Sequence, residues 1–329
     1  MIKRRQFIAG LGSTAAWPLA ARAQQGERIR RIGVLINQAA NEPQFQARNA
    51  AFVQGLQELG WMVGRNVRID YRWGSVDADG LRRYAAELVA FAPDVILAHA
   101  NAAVGASLQT TRTVPIVFPV IIDPVGAGFV DSLARPGGNA TGFMNFDYSL
   151  SGKWLELLKQ IASGVTRVAV VREATRGTGT SLFAAIQAMA PSLGVEVNPV
   201  NVRDAGEIER AVAAFARAPN GGLIVTPGPA GTLYLNLIIT LAARHKLPAV
   251  YYERSQVAAF GLISYGSDFV DQYRQAARYV DRILRGEKPA DLPVQAPTKY
   301  EFAINLRTAT ALGLAIPETL LATADEVIQ

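Results

Sequence analysis

The segment Thr-Val-Pro-Ile-Val-Phe-Pro-Val-Ile-Ile-Asp-Pro, residues 113–124, is echoed later by Lys-Leu-Pro-Ala-Val-Tyr-Tyr-Glu-Arg-Ser, residues 246–255. In both, a hydrophobic residue and a proline lead into a short β-branched or aromatic run, and a charged loop follows. A short apolar run between turn-forming residues is typical of a buried strand. The recurrence indicates that the chain builds the same strand twice.

Two further landmarks recur in the same order. The strand pattern of residues 31–35 returns at residues 167–171, and the Ala-Pro break at residue 92 returns at residue 218, each followed by another apolar run. Helical patterns separate these strands; one places Phe52, Leu56 and Leu59 on one face. Alternating strands and helices predict a parallel sheet with helices on both faces. Three landmarks in register favour two similar doubly wound α/β lobes.

The amino-acid composition limits the classes of function that this chain can have. The 329 residues are 50% hydrophobic and 18% charged, which is typical of a globular chain. The net charge of +6 shrinks to +2 without residues 1–23, since 29 basic and 27 acidic residues remain. A nearly neutral body gives no reason to expect nucleic acid or a membrane surface as partner. The absence of cysteine excludes disulfides, thiolate metal sites and a lipid anchor on an N-terminal cysteine.

Residues 1–23 have the pattern of an export signal. Basic residues precede an apolar run, and the small-residue pattern Ala-Arg-Ala ends at Ala23. The Arg4-Arg5 pair resembles a twin-arginine signal, although general secretory export stays open. The apolar run is too short to span a bilayer, and no later run reaches the necessary length. We therefore expect cleavage near Ala23 and a mature protein in the periplasm.

Several phrases between residue 30 and the C-terminus carry a family resemblance. They are Phe52-x-x-Gly-Leu-x-x-Leu-Gly-Trp61, Tyr71-Arg-Trp73, Asp123-Pro-Val-Gly126, Leu133-Ala-Arg-Pro-Gly-Gly-Asn-x-Thr-Gly142, Lys153-x-Leu-Glu-Leu-Leu-Lys159, Ser264-Tyr-Gly266, Lys288-Pro-Ala-Asp-Leu-Pro-Val294 and Asn305-Leu-x-Thr-Ala309. Together they resemble the substrate-binding proteins of bacterial ABC transporters with the periplasmic binding protein type I fold. The similar branch includes tryptophan- and tyrosine-binding receptors.

The resemblance implies that each lobe contains two separate segments of the chain, so the lobes are not simply its first and second halves. Lobe 1 would comprise residues 29–146 and 262–290, and lobe 2 residues 147–261 and 291–329, joined by a three-stranded hinge. The implied function is capture of a small organic solute, amino-acid-like or aromatic, for an ABC transporter permease in the inner membrane. No cofactor is implied, and a monomer is expected. A protein that presents its ligand to a membrane sensor kinase stays open as an alternative.

Ligand contact is expected in the loops at the carboxyl ends of the strands, because two facing α/β lobes bring both sets of loops to one cleft. Carboxylates there can pair with an ammonium, amides can orient a solute, and aromatic faces can stack on its apolar part. The candidate ligand-binding residues are Asn37, Gln38, Asn41, Asn101, Ala102, Asp123, Asn145, Phe146, Glu173, Pro227, Tyr252, Glu253 and Asp268.

Some of these candidates have structural alternatives. Asp123 precedes a proline, so it either contacts ligand or shapes a turn. His99 ends a buried strand and is as consistent with a structural histidine as with a ligand contact. Tyr251 and Tyr252 alternate, so at most one faces the cleft. In the loop around Thr175, the sequence Arg-Glu-Ala-Thr-Arg-Gly departs from the family pattern, which leaves ligand specificity open.

Enzymatic chemistry has little support in the sequence. Neither a Gly-x-Ser-x-Gly elbow nor a Gly-x-x-x-x-Gly-Lys-Ser/Thr phosphate loop is present. The run Gly177-Thr-Gly-Thr180 fits an anion cradle or, more readily, a flexible loop. The two histidines are 146 residues apart and give no basis for a metal site. An exported α/β enzyme is therefore the weakest of the three hypotheses.

Overall fold

The computed structural model describes residues 28–74, 77–146, 150–173 and 177–329. The predicted export signal, residues 1–23, lies outside this range, as do residues 147–149 of the first interlobe connection and residues 174–176 of the loop around Thr175. No helix within the described ranges is both long enough and apolar enough to cross a bilayer.

The first lobe is built on a parallel sheet of five strands. Its strands are β1 (Arg30–Leu35), β2 (Val67–Arg72), β3 (Val95–Ala98), β4 (Ile116–Ile121) and β5 (Ala140–Met144). They are hydrogen-bonded in the order β2-β1-β3-β4-β5. Helices alternate with them: α1 (Pro43–Glu58), α2 (Ala78–Ala90) and α3 (Ala100–Thr110). β3 and β4 are buried along their whole length, as expected for strands covered on both faces.

The second lobe is built on a sheet of seven strands. They are β6 (Arg167–Arg172), β7 (Glu196–Asn201), β8 (Gly221–Val225), β9 (Ala249–Tyr251), β10 (Ile263–Ser267), β11 (Tyr300–Asn305) and β12 (Glu326–Ile328). The order is β12-β11-β10-β9-β8-β6-β7, and only the β10–β11 pair is antiparallel. Its helices are α4 (Leu150–Ile161), α5 (Gly177–Met189), α6 (Ala205–Phe215), α7 (Pro229–Leu233), α8 (Leu235–Arg244), α9 (Arg254–Ala258), α11 (Leu306–Ala311) and α12 (Glu318–Thr323), with α10 (Phe269–Leu284) described below.

The two sheets repeat one topology. Strands β7-β6-β8-β9-β10 follow the same order as β2-β1-β3-β4-β5, and β11 and β12 extend the second sheet beyond that unit. The repeated landmarks of the sequence fall on equivalent strands, since β1, β3 and β4 correspond to β6, β8 and β9. The prediction of two similar doubly wound α/β lobes is confirmed.

Residues 262–290, predicted as one return to lobe 1, divide between the lobes. Strand β10 pairs with β9 and takes the place that β5 has in the first sheet, so it belongs to the second sheet. Helix α10 then packs on α1, where a Cβ on Gly55 would lie 2.9 Å from the Cβ of Ala277. The Trp61 indole N–H, just after α1, also donates to Asp281 at 2.8 Å. Helix α10 therefore returns to lobe 1, but the strand before it does not.

The chain passes between the lobes at three neighbouring places. The first follows β5, the second joins β10 to α10, and the third precedes β11. The Ser267 hydroxyl donates to the carbonyl of Asn145, and the Asp268 N–H donates to the carbonyl of Lys299 at 3.1 Å. Before the third crossing, the Gln295 N–H still donates to the Gly142 carbonyl of lobe 1 at 2.9 Å. The crossings are thus hydrogen-bonded to one another.

Candidate ligand-binding cleft between the lobes

Twelve of the thirteen predicted ligand-binding residues lie within four residues of the carboxyl end of a strand: ten are in the loops there, and Asn101 and Ala102 are in the first turn of α3. Because each of these strands belongs to a parallel set, the loops after β1, β3, β4 and β5 share one edge of the first sheet, and those after β6, β8, β9 and β10 share one edge of the second. Asn41 is the exception, since it lies in the loop before α1 and is exposed. Asn37 and Gln38 are half-buried, and the Asn37 Oδ1 atom has no hydrogen-bond partner among the described residues.

Helix α3 and the loop after β4 line a cavity of about 650 Å³ in lobe 1. Asn101, Ala102 and Asp123 lie on its wall, together with residues of α2 and α3. The Asn101 amide joins the first turn of α3 to the loop after β4, because it donates to the Ile122 carbonyl at 2.8 Å and accepts from the Ile122 N–H at 3.1 Å. Asn101 therefore fixes the shape of this wall.

Asp123 shapes the turn after β4. Its Oδ1 atom accepts from the Gly126 N–H at 2.9 Å, and its backbone has a φ of 49°. Ala100, the first residue of α3, has a φ of 66°. Left-handed backbone at a residue other than glycine is strained and tends to occur at functional sites. Both strained residues lie at the edge of the sheet where ligand contact is predicted.

His99 belongs to an aromatic cluster in lobe 1. Its Nδ1 lies 2.8 Å from the Tyr273 hydroxyl of α10, and its ring contacts the edge of Phe45 at a centroid distance of 5.1 Å. Trp73 contacts the same Phe45 ring at 5.4 Å. Burial, reinforced by the nearby positive charge of Arg48, lowers the pKa of His99 to about 3. His99 is thus a neutral ring with its Nδ1 hydrogen-bonded inside the protein.

Tyr251 and Tyr252 take opposite directions, as their alternation predicts. Tyr251 packs in the outer core of lobe 2, whereas Tyr252 joins the cluster that contains residues of both lobes. The Tyr252 hydroxyl lies 3.1 Å from the Thr232 hydroxyl, and burial raises the pKa of Tyr252 to about 12. Its ring meets the edge of Phe146 at a centroid distance of 6.1 Å. Two predicted residues, Phe146 and Tyr252, are therefore brought together.

The loops after β6 and β8 approach each other closely. A Cβ on Gly228 would lie 3.4 Å from the Glu173 Oε2 atom, and Pro227 immediately before it is buried. The Thr226 hydroxyl donates to the Val171 carbonyl at 2.9 Å and ties the end of β8 to β6. Glu173 and Pro227 are thus neighbours at the cleft edge of lobe 2.

An ion pair connects the two lobes. Arg48 of α1 pairs with Glu253, which follows β9 in lobe 2. The guanidinium lies 4.7 Å from the centre of the Phe269 ring at the start of α10, a cation–π distance. The Arg48 side chain is 7% exposed and that of Glu253 is 16% exposed. A charge from each lobe is therefore held in a largely desolvated junction.

The hinge side of the cleft contains buried amides. The Gln272 side chain donates to the Met144 carbonyl at 2.7 Å, which places it beside Asn145. The side-chain oxygens of Asn145 and Gln272 have no hydrogen-bond partner among the described residues, although both side chains are buried. Asp268 is buried too, but it caps α10 through the Asp271 N–H at 2.9 Å and pairs with Lys299 at 2.7 Å. A structural role thus accounts for the Asp268 carboxylate.

Some residues at the junction were not among the predicted ligand-binding residues, although one of them has a recognisable sequence pattern. Arg48 lies three residues after Phe45 and four before Phe52 in α1, so it interrupts an apolar helix face. Arginine is rarely buried without a partner, and this position therefore indicates a buried ion pair. Phe269 and Tyr273 stand on the apolar face of α10, which resembles any core helix. Nothing local distinguishes them from ordinary core residues.

No group of three or more potential metal-ligating residues occurs within the described ranges. The arrangement instead offers hydrogen-bonding amides, one ion pair and aromatic faces between two lobes. Such a set can hold a small organic molecule without breaking or forming bonds in it.

A family model for ABC transporter substrate-binding proteins matches residues 33–328. The chain belongs to this family. Its members are binding proteins rather than enzymes, and they act outside the cytoplasm.

A relative and two solved structures resemble this chain over most of its length. A tyrosine-binding protein of Clostridioides difficile is 25% identical over 285 residues, covering 85% of this chain and 80% of the relative. A Streptococcus pneumoniae ABC domain, solved in complex with L-Trp, is 25% identical with a TM-score of 0.82, covering 91% of this chain and 99% of that one. A conserved domain protein from Vibrio cholerae is 27% identical with a TM-score of 0.82, covering 91% and 100%.

Proposed function

We propose that this protein binds an amino acid with an aromatic or apolar side chain between its lobes and delivers it to the permease of an ABC importer. The observation that supports this most is the Arg48–Glu253 pair, because it offers both signs of charge at a junction walled by aromatic rings. An α-amino acid has a carboxylate and an ammonium in the same small head group. The named ligands of the relatives, tyrosine and L-Trp, are of this class.

The proposal is tested by isothermal titration calorimetry of the mature protein with the common amino acids and with nucleosides and aromatic acids. We expect saturable binding of at least one aromatic or apolar amino acid, with a Kd below about 1 mM. The recovered ligand should be chemically unchanged after prolonged incubation. Binding only to a nucleoside, or conversion of the ligand to a product, would contradict the proposal.

We further propose that the mature protein works as a periplasmic monomer after removal of residues 1–23. The sequence of these residues supports export, because the Arg4-Arg5 pair precedes an apolar run and a small-residue cleavage pattern. Cell fractionation should place the protein in the periplasm with Gln24 as its first residue. The double substitution Arg4→Lys and Arg5→Lys should retain the precursor in the cytoplasm if export uses the twin-arginine route.

A further inference from the structure

Arg48 is an arginine on the apolar face of a helix. Its neighbours on that face, Phe45 and Phe52, are fully buried, and Arg48 itself is 5% exposed. Desolvation strongly destabilises a buried guanidinium unless an opposite charge and hydrogen bonds compensate for it. The site therefore needs a negative partner wherever the lobes are closed.

Glu253 provides that partner from the other lobe. Its position is fixed by the loop after β9, where the Gln256 side-chain oxygen accepts from the N–H groups of Tyr252 and Glu253, both at 3.2 Å. Arg48 is fixed from its own side by the Phe269 ring. The two charges thus belong to different rigid units and face each other across the junction.

We infer that Arg48 and Glu253 select the ligand by its charges, with Arg48 binding a carboxylate and Glu253 binding an ammonium of the same molecule. This inference rests on the proposed function and specifies how its ligand is recognised. A zwitterion between the two residues would leave every buried charge paired, since each protein charge exchanges its partner for one on the ligand. A ligand with only one of the two charges would leave either Arg48 or Glu253 without a partner.

The aromatic rings near the Arg48–Glu253 pair indicate which ligand side chain is favoured. The Phe269 ring contacts the Arg48 guanidinium, and Tyr252, next to Glu253, contacts the ring of Phe146. A planar or apolar side chain stacks on such rings without needing further hydrogen bonds. The favoured ligand is therefore a zwitterion with an aromatic or apolar substituent, and not an aromatic acid or amine.

The test compares three probes in calorimetry: L-tryptophan, indole-3-propionate, which lacks the ammonium, and tryptamine, which lacks the carboxylate. For wild type we expect L-tryptophan to bind about 30-fold or more tightly than either analogue, because each analogue leaves one buried charge unpaired. The Arg48→Gln variant should lose most of the preference over tryptamine. The Glu253→Gln variant should lose most of the preference over indole-3-propionate.

A purely structural ion pair would give a different result. Arg48→Gln would then weaken the binding of L-tryptophan and of tryptamine by the same factor, and that result would overturn the inference. The exchange variant, Arg48→Glu with Glu253→Arg, restores opposite charges across the junction and guards against loss of folding. It should melt cooperatively and yet bind L-tryptophan at least about 30-fold more weakly; unchanged affinity would also overturn the inference.

The neighbouring pair Arg254–Glu326 serves as a control, because it lies within lobe 2 and is more exposed. Glu326→Gln should leave the affinities for all three probes within about twofold of wild type. If wild type binds no amino acid at all, the proposed function fails and the inference fails with it. If wild type binds amino acids but Arg48 and Glu253 variants keep its selectivity, the inference alone is overturned.

Discussion

Single residues at the junction are arranged so that few charges remain without a partner. His99 is buried beside Arg48, and its low pKa keeps the ring neutral at every physiological pH. Its Nδ1 has one partner among the described residues, the Tyr273 hydroxyl. The sequence predicted a buried strand end at His99 but left its role open, because the partner lies 174 residues away on a helix that returns from the other lobe.

Replacement of Tyr273 by phenylalanine tests this hydrogen bond. The change leaves a buried imidazole nitrogen without a partner, so Tyr273→Phe should lower the free energy of unfolding by about 1–3 kcal/mol. Urea denaturation followed by circular dichroism measures the loss. Tyr84→Phe is the control, because the Tyr84 hydroxyl makes no hydrogen bond to a described residue, and it should change stability by less than about 0.5 kcal/mol. Equal effects for both variants would contradict the assignment.

Glu301 at the third crossing gives the protein a pH dependence of stability. Burial, together with the nearby Asp268 carboxylate, raises the pKa of Glu301 from 4.5 to about 6. The folded state therefore binds this proton more tightly than the unfolded state does. The free energy of unfolding therefore falls as the pH rises from about 4.5 to about 6. Above this range, the full cost of burying the ionised Glu301 carboxylate is present.

Glu301→Gln removes the ionisable group and should raise the melting temperature near pH 7.5 while leaving it almost unchanged near pH 4. Thermal denaturation at the two pH values measures the difference. Glu287→Gln is the opposite case, since its pairing with the Arg282 guanidinium lowers the pKa of this exposed carboxyl. Glu287→Gln should not raise the melting temperature near pH 7.5. A gain for Glu301→Gln that is equal at both pH values would show that the carboxyl has an ordinary pKa.

Among the helices and strands, the buried strands with continuous apolar runs could be predicted from the sequence, whereas strands at the edge of a sheet could not. The apolar runs of β3, β4, β8 and β9 are buried on both faces and were visible as runs. Strand β7 was missed because it lies at the edge of the second sheet and contains Pro199, which an edge strand tolerates. Phe91 follows the buried Leu88 of α2 at helical spacing, but it is 37% exposed, and the Arg31 guanidinium lies 4.4 Å from the centre of its ring.

The crossing of α1 and α10 depends on a small residue at their contact. A Cβ at Gly55 would meet the Cβ of Ala277 at 2.9 Å and the Arg274 carbonyl at 3.2 Å. Gly55→Ala should therefore destabilise the protein by about 1–3 kcal/mol, because one helix must shift. Gly105→Ala in α3 is the matched control, since its nearest atoms lie 3.7 Å away. That change should be neutral or stabilising by up to about 1 kcal/mol in urea denaturation.

At the scale of the whole molecule, the repeated sequence phrases predicted the duplicated lobes. The division of residues 262–290 was not visible, because β10 and α10 are apolar elements that suit either lobe. The same holds for the cleft: strand ends identified most of the loops, whereas the Arg48–Glu253 contact joins residues 205 positions apart. Such a contact follows from how the lobes meet and not from any local pattern.

Closure of the two lobes around a ligand is the central claim, and the absence of cysteine allows it to be measured directly. Ala127 of lobe 1 and Leu233 of lobe 2 are both exposed, so cysteines there can receive a spin-label pair without competing thiols. The distance between the labels is measured by double electron–electron resonance, with and without L-tryptophan at a concentration that saturates binding in calorimetry. The account predicts a shift to a narrower distribution at a different distance when ligand is present. Identical distributions in the two samples would contradict it.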